Sequence, residues 1–161
     1  MKNITIIRHG KSGYELGLTD KQRTLIERGI IDSTLVAEKY LPNLPSNFLM
    51  ISSSAVRAAT TAKIFAKTFL TLDNEIEFIN NLYTFDSSVL EKIIKTTSNN
   101  VTNLLIFGHN DAITDFVNKF GDISINNVPT SGLVSIDFES DSWNEIKKGK
   151  TIKTIFPSDL R

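Results

Sequence analysis

The sequence predicts an α/β fold, specifically a three-layer α/β/α sandwich with a mostly parallel central sheet. Two observations predict it. Short runs rich in Ile, Val, Leu and Phe alternate along the chain with segments whose apolar residues recur every three or four positions. The 161 residues, 40% of them hydrophobic, suffice for the core of one domain, which we place at 1–161.

The first strand is predicted at residues 3–8 from its length and its β-branched composition. A loop with two glycines follows over 11–23. A helix is predicted over 24–41, because Thr24 and Glu27 have capping-box spacing and a proline comes directly after the segment. Its apolar residues at helical intervals are Ile30, Ile31, Leu35, Val36 and Leu41.

The middle of the chain repeats this alternation. Residues 47–52, "NFLMIS", form a short apolar strand, and 53–69 form a helix. Residues 75–79 give a weaker strand, followed by a helix over 87–98. The apolar residues on one face of the helix at 53–69 are Ala58, Ala62, Phe65 and Phe69.

The last third contains the clearest buried strand, "VTNLLIFG" at 101–108, and a helix at 109–120 whose Phe116 we expect in the core. Two late strands, 132–139 and 150–156, are predicted toward an edge of the sheet because they alternate apolar with polar or charged residues.

Composition excludes several classes of protein. Eighteen Lys and Arg balance 18 Asp and Glu, which argues against a nucleic-acid-binding protein. The absence of cysteine excludes disulfides, thiolate metal sites and a cysteine nucleophile. The apolar stretch near the N-terminus is too short for a signal peptide, and no run approaches the roughly 18 residues of a membrane span. We therefore expect a cytoplasmic monomer without nucleic-acid or membrane partners.

Polar residues follow three of the predicted strands. Arg8 and His9 end the first strand, His109 follows "VTNLLIFG", and the serines at 52–54 with Arg57 follow "NFLMIS". In parallel sheets ligands bind beyond the carboxyl ends of the strands. The two histidines of the chain are thus expected at one edge, beside two arginines.

These four residues suit a phosphoryl group. The guanidiniums of Arg8 and Arg57 match phosphate oxygens, and two helix N-termini at the same edge favour an anion. Imidazole is one of the few side chains that accept a phosphoryl group covalently, and nearby cations favour its nucleophilic neutral form. We expect no metal and no cofactor, because two arginines and a second imidazole supply the charge stabilisation that phosphoryl transfer needs, and no P-loop or aspartyl-phosphatase motif is present.

The same segments resemble the histidine phosphatase superfamily, also called phosphoglycerate mutase-like. "IIRHGKS" resembles its R-H-G signature, "SSSAVRAATTA" its S-x-x-x-R-A-x-x-T-A segment, "LLIFGHND" its second-histidine segment and "VPTSGLVSI" its small-residue turn. The short chain and "DKQRTLIERG" at 20–29 resemble the small SixA-like phosphohistidine phosphatases, as do "RHGKSGYE" and "FPSDL".

The resemblance implies a phosphoglycerate mutase-like fold and a set of roles. His9 would be the nucleophile and become a transient phosphohistidine. Arg8 and Arg57 would clamp the phosphoryl oxygens, and His109 would donate a hydrogen bond or charge to them. Water would then release phosphate.

Two further phosphate-binding candidates have equally favoured alternatives. Arg23 matches the arginine of the SixA-like stretch and is predicted to reach the phosphate or hold a phosphoprotein, with Asp20 orienting it; the alternative is a surface salt bridge. Ser131, in a turn with Thr130, would offer a backbone N–H to the phosphate or else cap a helix end.

The general acid is the weakest part of the pattern. Many superfamily members carry an acidic residue after the third strand, but that position falls near Leu82 and Tyr83 here, and Asp86 is the nearest downstream carboxylate. Asp86 is therefore the candidate acid. A missing acid would favour a phosphoramidate substrate, because an alkoxide leaving group needs a proton more than an imidazole does.

The sequence thus predicts a metal-independent phosphatase, a phosphoric monoester or phosphoramidate hydrolase, acting on a phosphohistidine-bearing protein such as a phosphotransfer domain. One alternative is a small-metabolite phosphatase or a mutase of the same superfamily, although a mutase usually needs more lid than this chain has. Another alternative is a non-catalytic module that binds phosphate or a phosphopeptide.

Overall fold

Six strands form a single sheet in the computed structural model, which describes residues 1–161. The strands are β1 (Lys2–Arg8), β2 (Leu49–Ser53), β3 (Ile76–Ile79), β4 (Asn103–Gly108), β5 (Leu133–Phe138) and β6 (Lys150–Ile155). The helices are α1 (Glu27–Tyr40), α2 (Val56–Thr68), α3 (Ser87–Lys95) and α4 (Ala112–Phe120).

The strand order is β3-β2-β4-β1-β5-β6. Strands β1 to β4 run parallel, whereas β5 is antiparallel to β1 and to β6. The prediction of a mostly parallel sheet with the late strands toward one edge is confirmed. Arg8 of β1 is level with Gly108 of β4, so the residues after these two strands, His9 and His109, leave the sheet side by side.

Helices cover both faces of the sheet and make the three layers. Helices α1 and α2 enclose one apolar cluster, which contains Phe65, Phe69 and Phe107. Helices α3 and α4 enclose the other, which contains Phe116 and Trp143. The predicted apolar face of α2 is buried, as is Phe116. No helix has the length and apolar character needed to cross a membrane.

The first helix begins later than predicted, and a different face of it is buried. Helix α1 begins at Glu27 without a side-chain cap, because the preceding residues bond to the loop instead: Gly13 N–H donates to Thr24 O, and Ile26 N–H to Lys11 O.

Ile30, Ile31 and Leu41 are exposed, and the buried face of α1 is made of smaller and polar residues: Gly29, Asp32, Ser33, Val36, Ala37 and Tyr40. Gly29 explains why this face is buried in place of the predicted one. A Cβ at this position would lie only 2.2 Å from Lys11 O, so a larger residue would not fit. The glycine thus allows α1 to pack directly against the loop that follows His9.

Candidate active site

The carboxyl edge of the sheet brings the four predicted residues together. The ring centroids of His9 and His109 are 5.1 Å apart. Arg57, in the first turn of α2, points its Nε to 3.4 Å from His9 Nε2. Arg8 lies at the end of β1, where its Nη1 donates to Val128 O at 3.0 Å. All four side chains are wholly or largely buried.

The chain turns sharply after His9. A Cβ on Gly10 would lie 2.9 Å from both Gly29 O and Ser33 Oγ, so only glycine fits between β1 and α1. The amide of Gly10 donates to Thr61 Oγ1 at 2.9 Å, which ties the turn to α2. The turn leaves the imidazole at the edge while the backbone passes under α1.

The His9 ring is held neutral, with a lone pair free at Nε2. Its Nδ1 lies 2.7 Å from Gly10 O, and because a carbonyl only accepts, Nδ1 carries the ring hydrogen and Nε2 the lone pair. Burial lowers the pKa of His9 to about 4, against the opposing Gly10 carbonyl, and the charges of Arg57, Arg8 and Arg23 lower it further. The ring is therefore uncharged near pH 7. Sequence reasoning named the cations but missed burial, the larger cause.

Arg57 is held by the loop that carries Asp20. Its Nη1 donates to Asp20 O at 2.6 Å and its Nη2 to Asp20 Oδ2 at 3.1 Å. The guanidinium is buried, so this double contact fixes its plane while Nε remains directed at His9.

Asp20 is the centre of a charged cluster that the sequence only hinted at. Its carboxylate accepts from Arg57, from Arg23 Nη1 at 2.9 Å and from the hydroxyl of Tyr83. The Tyr83 hydroxyl, followed by Arg23 and Arg57, holds the pKa of Asp20 far below its usual range, and Asp20 in turn raises the pKa of Tyr83.

Arg23 is tied into this site rather than free on the surface. Beyond Asp20, it donates to Gly13 O at 3.1 Å and to Ser12 Oγ at 2.5 Å, and it lies 3.9 Å from the centroid of the Tyr14 ring. The expected contact between Asp20 and Arg23 is present, and Arg23 belongs to the loop that holds Arg57 in place.

His109 is nearly inaccessible, with 2% of its surface exposed. Its Nε2 lies 2.8 Å from Ser53 Oγ, while its Nδ1 is buried without any hydrogen-bond partner. Burial lowers the pKa of His109 to about 3, with further contributions from His9 and Arg57. The ring bonds to β2 and does not cap α4, since only the His109 carbonyl accepts from that helix, at Ile113 N.

Two aromatic rings pack against His109 at the mouth of the site. The centroids of Tyr83 and Phe85 lie 5.4 Å and 5.7 Å from the His109 ring, and Phe85 is 54% exposed. Sequence reasoning treated this segment only as the place of a missing acid. The two aromatic residues in the segment between β3 and α3 could have identified it, because carboxyl ends of parallel strands share one edge.

Asp86 does not have the environment of a general acid. Its Oδ1 caps α3, accepting from Ser88 N and Ser88 Oγ, each at 2.8 Å. These two bonds lower the pKa of the exposed Asp86 carboxyl, so the group is ionised where a proton donor would have to be protonated. The structure gives Asp86 a capping role.

Ser131 is not placed to bind phosphate. Its amide donates to the carbonyls of both Arg8 and His9 at 3.1 Å, and its hydroxyl bonds Ser33 Oγ at 2.9 Å. It lies in the turn before β5, where no helix begins or ends, so it caps no helix either. Both interpretations of Ser131 are therefore wrong. The residue instead fastens the end of β1 to the start of β5.

No group of three or more His, Asp or Glu side chains is clustered so as to hold a metal ion. The ligand chemistry at this edge comes from nitrogen donors: two guanidiniums, an unpartnered imidazole nitrogen and the first turn of α2. Such a set suits an anion with several oxygens.

Comparison with family models gives no match. In sequence, the chain is similar to the uncharacterized protein Rv1276c of Mycobacterium tuberculosis, with 28% identity over 153 residues, 89% of this chain and 93% of that protein. It is also similar to the uncharacterized protein ML1117 of Mycobacterium leprae, with 27% identity over 144 residues, 81% of this chain and 86% of that protein.

In structure, the chain is similar to the protein histidine phosphatase SixA in complex with tungstate, at a TM-score of 0.81 and 20% identity over 99% of both chains. It has the SixA fold. SixA from Agrobacterium tumefaciens superposes with a TM-score of 0.78 at 21% identity, covering 96% of this chain and 97% of that one. The mycobacterial glucosyl-3-phosphoglycerate phosphatase Rv2419c superposes less closely, at 0.69 and 11% identity over 95% and 98% of the two chains.

Proposed function

We propose that this chain is a cytoplasmic, metal-independent histidine phosphatase that hydrolyses phosphohistidine on a protein through a covalent intermediate on His9. One observation carries the proposal: a buried, neutral imidazole presents its Nε2 lone pair to the guanidinium of Arg57, beside a second imidazole with a free nitrogen. A nucleophile and hydrogen-bond donors for an anion thus meet at one point.

Binding would satisfy donors that now lack partners. Arg8 Nε and His109 Nδ1 are buried and unbonded. An unpaired buried polar group costs about 1–3 kcal/mol. Phosphoryl oxygens would accept from both nitrogens and from Arg57, which supports the phosphate-clamping roles of these three residues.

The reaction has two displacements at phosphorus. His9 Nε2 attacks and forms a P–N bond, while the bond to the leaving atom breaks and its electron pair stays with the leaving group. Water then attacks the phosphorus of phospho-His9 and loses a proton to solvent. The P–N pair returns to Nε2, and inorganic phosphate departs. Arg8 and Arg57 offset the charge spread over the phosphoryl oxygens in both steps.

The mouth of the site holds no proton that is readily transferred. Asp20 and Asp86 both have lowered pKa values, and the pKa of Tyr83 is raised by Asp20. An alkoxide leaving group requires such a proton. The imidazole of a phosphohistidine is a better leaving group and takes a proton on its far nitrogen from water. The site is therefore better suited to a phosphoramidate than to a sugar phosphate.

The surroundings of the site favour a protein as the carrier of that phosphohistidine. Phe85 is exposed beside His109, Tyr14 is exposed on Arg23, and Leu16 is exposed in the same loop as Tyr14. Exposed aromatic side chains beside a binding site are typical of protein contact surfaces and offer a sugar few hydrogen bonds.

A rapid-quench experiment with a radiolabelled phosphohistidine protein tests the proposal. Wild type should carry label that is stable to alkali and lost in acid, and it should release phosphate. His9→Ala should carry no label, with turnover lowered by about 10³-fold or more. The matched control is Asp86→Asn, which keeps a capping side chain and should stay within about twofold of wild type.

Other outcomes would replace the proposal. Hydrolysis of an alkyl phosphate as fast as the phosphohistidine protein would indicate a small-metabolite phosphatase, and an isomerised phosphate ester would indicate a mutase. Tight binding of phosphate without hydrolysis of any of these substrates would indicate a non-catalytic binding module.

A further inference from the structure

The two imidazoles of the site are held through different ring nitrogens. His9 donates its Nδ1 hydrogen to Gly10 O and so presents a lone pair at Nε2. In His109 the same nitrogen, Nε2, contacts Ser53 Oγ at 2.8 Å, and Nδ1 is the one left over. What His109 presents to the site therefore depends on which of its nitrogens carries the hydrogen.

The hydrogen bonds of Ser53 decide that question. Its Oγ accepts from the amide of Ala55 at 3.1 Å, and the residue is fully buried. Its own hydroxyl hydrogen has one acceptor within reach, His109 Nε2. A buried hydroxyl donates where it can. The hydroxyl hydrogen thus goes to Nε2, which must hold the lone pair, and the ring hydrogen is on Nδ1.

We infer that Ser53 is a positioning residue that fixes His109 as the Nδ1–H tautomer, so that the ring offers a hydrogen-bond donor to a phosphoryl oxygen. The tautomer follows from the contacts of Ser53 alone, while its effect on turnover rests on the proposed phosphatase function. A neutral ring has a single hydrogen, so no compensation is available if that hydrogen moves.

Loss of the Ser53 hydroxyl would free the ring hydrogen to occupy Nε2. The lone pair of Nδ1 would then face the phosphoryl oxygens and repel them, instead of donating to them. Removing one preorganised donor of this kind lowers turnover by about 10²-fold in other enzymes, and repositioning within the pocket would recover part of it, so we expect about tenfold or more here.

The first test reads the tautomer directly. The chain has two histidines, so a long-range proton–nitrogen correlation spectrum of the ¹⁵N-histidine-labelled protein contains two rings, assigned with His9→Asn. At pH 7.5 we expect a protonated, pyrrole-type Nδ1 and a pyridine-type Nε2 for His109. Ser53→Ala should shift His109 toward the Nε2–H form, and Ser53→Thr, which keeps the hydroxyl, should not. A pyrrole-type Nε2 of His109 in wild type would overturn the inference without any variant.

The second test measures phosphate inhibition and turnover in the same proteins. Ser53→Ala should weaken inhibition by inorganic phosphate and lower kcat about tenfold or more, with Ser53→Thr near wild type. Ser52→Ala is the matched control, because it removes a neighbouring buried hydroxyl that donates only to the Ser53 carbonyl.

Wild-type kinetics in Ser53→Ala, despite a changed tautomer, would overturn the positioning role. If Ser53→Ala fails to fold, Ser53→Thr and the wild-type spectrum still decide. Absence of any hydrolysis by wild type would defeat the proposed function and leave the tautomer assignment standing.

Discussion

Buried polar groups are hydrogen-bonded within the chain at one end of the sheet, whereas several at the other end have no partner. At the amino end of β1, Lys2 Nζ donates to Asn99 O at 2.6 Å and to Val101 O at 2.9 Å, and at its centre Thr5 Oγ1 bonds both Tyr40 OH and Ser135 Oγ. At the carboxyl edge the buried, unpartnered side-chain atoms of the molecule gather: Arg8 Nε, Ser54 Oγ and His109 Nδ1.

The difference distinguishes polar groups that stabilise the fold from polar groups that are available to a ligand. A buried polar group that serves the fold finds its partner within the chain, because leaving it unpaired costs about 1–3 kcal/mol. At the carboxyl edge three buried side-chain atoms have no partner within the chain. A ligand with several acceptor oxygens could bond the nitrogens there, whereas the buried polar groups of Lys2 and Thr5 already have partners within the chain.

Arg57→Lys tests the carboxyl edge most severely. A single ammonium cannot contact both Asp20 and the site as the guanidinium does, so kcat/KM for a phosphohistidine protein should fall by about 10²-fold or more. Steady-state kinetics would measure this, with urea unfolding as the control for stability. A loss below about fivefold would show that the fork of Arg57 is not used.

Acid stability tests the cost of burying two neutral imidazoles at that edge. The pKa of His9 is lowered to about 4 and that of His109 to about 3, whereas unfolded histidine has a pKa near 6.5. Between these values the unfolded chain binds protons that the folded chain does not, so the free energy of unfolding should decrease as pH falls from about 6.5 toward 4.

By pH 5 each imidazole should cost about 2 kcal/mol relative to pH 7. His109→Asn removes one of them and should therefore lose about 2 kcal/mol less than wild type between pH 7 and pH 5. Urea unfolding at the two pH values measures the difference. Equal losses in the two proteins would mean that His109 is protonated readily in the folded state.

Lys2→Met tests the opposite end of the sheet. Methionine keeps an apolar stem of similar length but removes the donor that the carbonyls of Asn99 and Val101 share, and only Val101 O retains another donor, the indole N–H of Trp143. The free energy of unfolding should fall by about 1–2 kcal/mol while kcat stays unchanged. Lys148→Met, at an exposed position, should change neither. A change in kcat for Lys2→Met would show that the two ends are coupled.

The fold and the four central site residues could be predicted because both follow from local patterns. Strand and helix periods determine the layers, and the rule on carboxyl ends of parallel strands brings Arg8, His9, Arg57 and His109 to one edge. Periodicity predicted the wrong buried face for α1. The close approach of Gly29 to Lys11 turns the glycine side of the helix inward, although the apolar pattern favours a different side.

Contacts between distant parts of the chain could not be predicted. Nothing in the sequence joins Tyr83 to Asp20, 63 positions away, although that bond helps keep Asp20 ionised. Ser53 was visible beside the site, but the direction of its hydroxyl depends on where β4 places His109. The amide of Ser131 bonds the carbonyls of Arg8 and His9, and only the fold brings these groups together. The sequence therefore could not show that this amide is unavailable to a phosphate.

The position of β1 also governs when this protein can fold. Strand β1, which leads into His9, pairs with β4 and β5, whose residues come about 100 and about 130 positions later. At typical synthesis rates those partners emerge roughly 5 to 30 s after β1. During that time an apolar strand has no neighbour, and the high contact order of its pairings slows the later step too. The edge of the sheet that carries His9 is thus among the last parts of the molecule to assemble, and chaperones that protect the nascent β1 would have their greatest effect on the yield of folded protein.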